Sequence, residues 1–306
     1  MKAEQADLAR PAAGRDAAGR DAALRRPRAA RRSVPTTWLN LVCLDAPIVA
    51  VAWLWLFART FHVPLQIGNG VALFLTAWLI YLGDRFADAI SLKPGPPRSL
   101  RQEFCLRHRE IWITTVALVA GFDAYVIWRT TAWETFLVGL AVGVLALVYL
   151  VANHPLGLIW RSLPAKELAI GILFAAGTAV ALLPQQPTGF AFTVAMIAFA
   201  ALCSLNCISI AGWERELDRA QHKISIATRH PRLVHHVGKI CVALAIAGLA
   251  LTIPFPVHGG VFVCLAASAF LLAWLNKSPI DRNDSKTALA DLVLLTPLVV
   301  FIVTML

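Results

Sequence analysis

Two pairs of carboxylates are the residues best placed to do chemistry. In Y-L-G-D-R-F-A-D-A, Asp84 and Asp88 stand four residues apart, and in W-E-R-E-L-D-R-A Glu214 and Asp218 repeat the spacing. On an α-helix that interval puts both groups on one face, about 6 Å apart in rise, where like charges repel. Each pair closes a long apolar segment, and carboxylates at the edge of a bilayer need compensation. A divalent cation supplies it. Oxygen ligands with no His or Cys at matching spacing select a hard ion, and magnesium commonly binds through one or two carboxylates plus substrate phosphates. Magnesium bridging to a diphosphate is therefore one expectation. The alternative is two interfacial charge clusters in which Arg85, Arg215 and Arg219 neutralise their sequence neighbours.

The elements that must position these groups are membrane spans. Hydrophobic residues make up 58% of 306 positions and charged residues 15%, with a mean hydropathy of +0.66 and ten tryptophans. Soluble domains run about 45–50% apolar and about 25% charged, so an ordinary soluble enzyme is excluded. Nine apolar segments of spanning length are predicted, at about 38–61, 64–90, 111–130, 132–152, 165–184, 189–213, 233–254, 257–275 and 287–306. The net charge of +10 comes from cations lying between these segments, which argues against a nucleic-acid face. Of the 28 Lys and Arg, all but Arg59 and Arg129 fall on the side of the N-terminus. The positive-inside rule then places the N-terminus in the cytoplasm and, with nine spans, the C-terminus on the opposite face. A bacterial inner membrane is the expected location. Residues 1–37, with the repeat AAGRDAAGRDAALRR, are expected to be a disordered basic cytoplasmic arm, and residues 38–306 the membrane domain. The six cysteines contain no CxxC pair, and five lie in apolar segments, so neither zinc nor a disulfide framework is indicated.

The two acidic segments resemble the aspartate-rich motifs of the UbiA superfamily of intramembrane prenyltransferases, which end spans two and six of nine. The family's first motif follows NDxxDxxxD. Here it is I-Y-L-G-D-R-F-A-D, so Asp84 and Asp88 match the last two aspartates while Ile80 and Tyr81 replace the Asn-Asp. The second is similar to N-C-I-S-I-A-G-W-E-R-E-L-D, with Glu214 and Asp218 on acidic positions, Cys207 where an aspartate is common, and Asn206 beside it. LDAPIV from Leu44 to Val49, KELAIGILFAAG from Lys166 to Gly177 and ADLVLLTP from Ala290 to Pro297 resemble the family's first, fifth and last helices.

The resemblance implies an all-α polytopic protein with nine transmembrane helices around a central cavity. It further implies that Asp84, Asp88, Glu214 and Asp218 hold magnesium, which grips a polyprenyl diphosphate whose ionisation leaves an allylic cation for a lipophilic, aromatic acceptor. Cations would then cover the diphosphate: Arg161 and Lys166 in the short connection before the fifth span, and Lys93 and Arg98 after the first motif. Tyr81, Asn206 and Trp78 are assigned to the substrate pocket. Asp45, on the family's acidic position before the proline, suggests a structural pairing near the cap, and Asp123 in the third span is an intramembrane acid without an assigned role. Two readings compete with a transferase: a terpene cyclase on the same scaffold, and a non-catalytic membrane protein or transporter with degenerate motifs.

Overall fold

The computed structural model describes residues 35–92, 95–153, 166–185, 187, 189–280 and 283–305. Most of the predicted arm, together with Lys93 and Arg161, lies outside the described residues. All the regular structure described is helical: α1 Pro35–Leu41, α2 Asp45–Thr60, α3 Ile67–Ile90, α4 Leu100–Arg107, α5 Arg109–Thr130, α6 Trp133–Asn153, α7 Lys166–Ala179, α8 Phe190–Trp213, α9 Arg215–Ala220, α10 Ile226–Arg229, α11 Pro231–Leu251, α12 Gly259–Lys277, α13 Asn283–Leu292 and α14 Thr296–Met305, with short 3-10 turns at Leu183–Gln185 and Pro256–His258.

Each predicted apolar segment falls on one helix or on adjoining helical pieces, but the number of spans differs from nine. Among the described residues six helices (α3, α5, α6, α8, α11 and α12) are long and apolar enough to cross a bilayer. The pair α13–α14, bent by 44°, makes a seventh if taken as one span. The first predicted segment is split into α1 and α2, and the fifth shortens to the 14 residues of α7 followed by a 3-10 turn.

The two splits share a physical cause. Pro47 and Pro297 lie in the first turns of α2 and α14, where a proline ring is tolerated, but each would clash with a carbonyl four residues back if the preceding helix continued. At the first break Cys43 takes φ +59°. Carbonyls freed inside a bilayer must find donors, and two tryptophans supply them. Trp78 Nε1 donates to the Val42 carbonyl at 2.9 Å, and Trp53 Nε1 to the Leu294 carbonyl at 2.8 Å. Thr296 adds a hydrogen bond to the Cys264 carbonyl at 3.0 Å.

The core lies around α2 and α8. Trp53 stacks on Phe199 at 4.5 Å between ring centroids, and Phe57, Phe192 and Phe262 continue the buried set. Glycine permits the closest helix approach: a Cβ at Gly171 of α7 would run into Ser204 of α8. On the outside, α5, α6 and α11 expose many large apolar side chains, including Ile111, Leu118, Leu147 and Ile246, while Trp128 and Trp133 flank the turn between α5 and α6. That is the distribution expected of helices facing lipid, with indoles at an interface.

Candidate functional site

The carboxylates of both motifs lie at one end of the bundle, here the acidic end. Asp84 and Asp88 close α3, which starts at the far end with Ile67, while Glu214 and Asp218 follow α8 across a one-residue break into α9. The break at Glu214 turns the second motif out of the long helix, although backbone hydrogen bonding continues through Asp218 N to the Glu214 carbonyl at 2.8 Å.

Their charges are balanced across the two motifs. Arg101 of α4, which follows the first motif, pairs with Glu214 of the second. Lys223, which follows the second motif, pairs with Asp88 of the first at 2.5 Å. Gln102 and Gln221 extend the exchange. Gln221 Nε2 donates to Gln102 Oε1 at 2.9 Å and to the Pro97 carbonyl at 2.7 Å, and Gln102 Nε2 donates to Asp88 Oδ2 at 3.1 Å. Ser99, N-cap of α4, forms a capping box with Gln102, so that helix start and cross-connection share one side chain. The two connections are thereby clamped to each other over the acidic end.

The local neutralisation weighed from the sequence does not describe this arrangement. Of the three neighbouring arginines, Arg219 pairs at 2.8 Å with exposed Glu216 rather than with a motif carboxylate. Arg215 Nε is buried without a hydrogen-bond partner among the described residues. Arg85 lies in the field of Cys43, Glu214 and Asp45.

Asp218 sits where a carboxylate is costly. Burial pushes its carboxyl up to about 6, with Glu214 adding to the effect, against a hydrogen bond from Ser225 and the charges of Lys223 and Lys166. Ser225 is also the N-cap of α10, whose first amide, Ile226 N, donates to Glu167 Oε1 at 3.0 Å. Glu167 thus ties α7 to the second connection, and its neighbour Lys166 lies within electrostatic reach of both Asp88 and Asp218.

Beneath the acidic end opens a cavity of ≈ 360 Å³. Its walls come from α3 and α5 on one side and α6 and α7 on the other, with Ala50 of α2 at the back. Tyr81 and Tyr149 form its upper rim, and Tyr149 lies in the field of Asp84 and Asp88. From Tyr81 down to Asn69 the α3 wall runs over twelve residue steps, about 18 Å of helix. Most of the lining is aliphatic or aromatic.

Of the residues assigned from the sequence, Asp84, Asp88, Glu214, Asp218, Lys166 and Tyr81 converge on the acidic end or the cavity rim. Arg98 is exposed ahead of α4. Two pocket assignments move off the wall. Trp78 is a packing residue whose indole closes the α1–α2 break. Asn206 is buried beside Asp291, to which its Nδ2 donates at 2.8 Å. Asp291 in turn shares a hydrogen bond with Asp45, and Asn40 Nδ2 donates to Asp45 at 2.6 Å. This buried polar chain joins α1, α2, α8 and α13, and it contains the pairing that Asp45 suggested. Lys223, Gln102, Gln221 and Glu167 had no assigned role from the sequence, and Arg101 is one of several loop cations after the first motif that could cover a diphosphate. Nothing in their spacing marks them, because the bonds that tie the two connections together and to α7 each cross more than 50 positions of chain.

Among the described residues no three His, Cys, Asp or Glu side chains gather as a ready ion-binding group. Asp88 and Glu214 are engaged by Lys223 and Arg101. The oxygen-only donor set still suits a hard ion, on condition that phosphate and water complete the shell.

This is an all-helical membrane protein with an acidic end over an apolar cavity. No family model and no curated protein matches the sequence. Among solved structures, the apo structure of a UbiA homologue from Aeropyrum pernix K1 superposes with a TM-score of 0.56 at 16% identity, covering 85% of this chain and 98% of that chain. The chain therefore shares the fold of that UbiA homologue.

Proposed function

We propose that the protein is an intramembrane prenyltransferase that moves a polyprenyl group from its diphosphate to a lipophilic, aromatic acceptor with the help of magnesium. The observation that carries this reading is the placement of both acidic motifs, cross-tied by Arg101 and Lys223, over the rim of an apolar cavity that α3 lines along about 18 Å of its length. The fold shared with the UbiA homologue supports it.

In this reading Asp84 and Asp218 hold the ion, joined by Asp88 and Glu214 as their cations turn toward the substrate. The ion, when bound, neutralises charge on the leaving diphosphate. Lys166, Lys223 and Arg101 take the diphosphate oxygens, so the same cations that balance the carboxylates in the empty site balance phosphate in the loaded one. The C1–O bond of the allylic diphosphate then breaks, its electron pair leaving with diphosphate. A π pair of the acceptor forms the new C–C bond, and the acceptor ring gives up a proton. The rings of Tyr81 and Tyr149 line the rim where the cation forms, and the apolar wall below excludes the water that would quench it.

Purified protein supplied with labelled prenyl diphosphates of several lengths, with and without magnesium, tests this. Magnesium-dependent release of diphosphate is expected, increased by a phenolic acceptor. Absence of release at every length would overturn the proposal.

A further inference from the structure

The cations near the acidic end are of two kinds. Arg101, Arg219 and Lys223 each pair with a carboxylate. Beyond them the balance fails: from Arg219 to Ile280 the sequence contains no Asp or Glu, yet Arg229, Arg232, Lys239 and Lys277 follow one another in α10, α11 and α12. All four are exposed, and none forms an ion pair among the described residues. The connection after the first motif differs, because Arg107 and Arg109 there alternate with Glu103 and Glu110.

Packing brings these charges to one end of one helix pair. α11 starts and α12 finishes at the acidic end, and the two helices lie against each other. A Cβ at Gly238 of α11 would come within 3.7 Å of Asn276, the neighbour of Lys277. Toward the bundle α11 buries Val237, Cys241, Ala245 and Gly248. At about 100° per residue Arg232 and Lys239 fall on the opposite face, in line with Ile246, which is 63% exposed. α12 repeats the pattern, since Phe270, Trp274 and Lys277 share one exposed face. From the acidic end inward, the outer surface of the pair carries cations, an indole of the kind that marks a membrane interface, and then apolar side chains.

Depth decides the partner. Lys239 lies seven residues beyond Arg232, about 10 Å further along the helix axis. The same face continues past it with Ala243, Ile246 and Ala250, all exposed and all apolar. An ammonium on such a face is costly in hydrocarbon unless it snorkels back to the headgroups or meets an anion. The phosphate of a phospholipid is the anion available there, and the acyl chain below it needs the apolar surface that follows.

We propose that the outer face of α11, with Lys277 of α12 beside it, is a docking surface for an anionic phospholipid. Its phosphate sits between Arg232 and Lys239, and an acyl chain runs along the stripe that contains Ile246. The proposal is independent of the prenyltransferase reading, because none of these residues lines the cavity or belongs to either acidic motif.

The test uses the full chain in detergent and native mass spectrometry, with equal amounts of phosphatidylglycerol and phosphatidylcholine of the same acyl length. Each Lys or Arg beside an anionic headgroup is worth a factor of about five in affinity, so two of them favour phosphatidylglycerol by roughly 25-fold. Arg232→Gln combined with Lys239→Gln should remove most of that preference while phosphatidylcholine is retained as before, which also reports an intact fold. Arg107→Gln combined with Arg109→Gln lowers the net charge equally on the other connection and should leave the preference unchanged. Equal retention of the two lipids by the unaltered protein would overturn the proposal and leave the patch to a soluble acidic partner. An equal fall in both double variants would overturn it as well, because the preference would then follow net charge and not this surface.

Discussion

The two ends of the cavity treat buried polar groups in opposite ways. At the acidic end, carboxylates of the motifs meet cations and amides brought in from the other motif's connection, so Asp88 has Lys223 and Gln102, and Glu214 has Arg101. At the far end, the side-chain oxygens of Asn69 and Thr131 are buried in the wall without a hydrogen-bond partner among the described residues. The first arrangement is self-compensating and exchangeable, as a site must be if it is to stay folded when empty and still accept a charged ligand. The second leaves neutral groups unpaired in the wall. Charge in a low-dielectric place demands an internal partner, whereas a neutral amide or hydroxyl can wait for one at lower cost.

The largest expected effect comes from removing a carboxylate that would hold the ion. Asp84→Ala and Asp218→Ala should each lower diphosphate release on the order of 10²–10³-fold, the scale for losing one electrostatic stabiliser of a leaving oxyanion. Membrane insertion and thermal midpoint should be preserved, since neither group packs the core. Equal turnover in both variants would return the motifs to the status of interfacial charges.

A smaller effect tests the exchangeable pairing. In Lys223→Met, Asp88 keeps Gln102 but loses its cation. Magnesium binding without substrate should tighten by about tenfold, because the ion no longer competes with a tethered ammonium. Weaker or unchanged binding would show that Lys223 does not stand in for the ion. Tyr81→Asp, which restores an acidic residue at the first motif, should tighten the substrate-free ion site in the same titration.

The smallest effect lies away from both ends. Trp53→Phe keeps the ring stacked on Phe199 but leaves the Leu294 carbonyl at the α13–α14 break without its donor. It should cost about 1–3 kcal/mol of stability with diphosphate release retained, measured by thermal unfolding in detergent. An unchanged midpoint would show that the break does not depend on the indole.

Much of the scaffold was legible because a bilayer imposes length and hydropathy on whatever crosses it, so the long apolar segments stood out before any contact was known. The acidic helix ends were legible for the same reason: a carboxylate after an apolar run is conspicuous. What hydropathy could not show was continuity. Pro47 and Pro297 divide apolar segments that look uninterrupted, and α7 is shorter than its apolar run. Partnership was equally hidden. Arg101 and Lys223 look like any other loop cation until packing brings the two connections together, and Trp78 looks like a pocket aromatic until its indole is found on the Val42 carbonyl.

The central claim is that the acidic end grips a prenyl diphosphate together with magnesium. It is tested most directly by calorimetric titration of a non-ionising prenyl thiodiphosphate into the full chain, once with magnesium and once with a chelator, alongside magnesium titrations with and without the analogue. The account predicts weak magnesium binding alone, stronger binding with analogue present, and an equal gain in analogue affinity when magnesium is present, as linkage requires. Analogue affinity that is the same with chelator as with magnesium would contradict it.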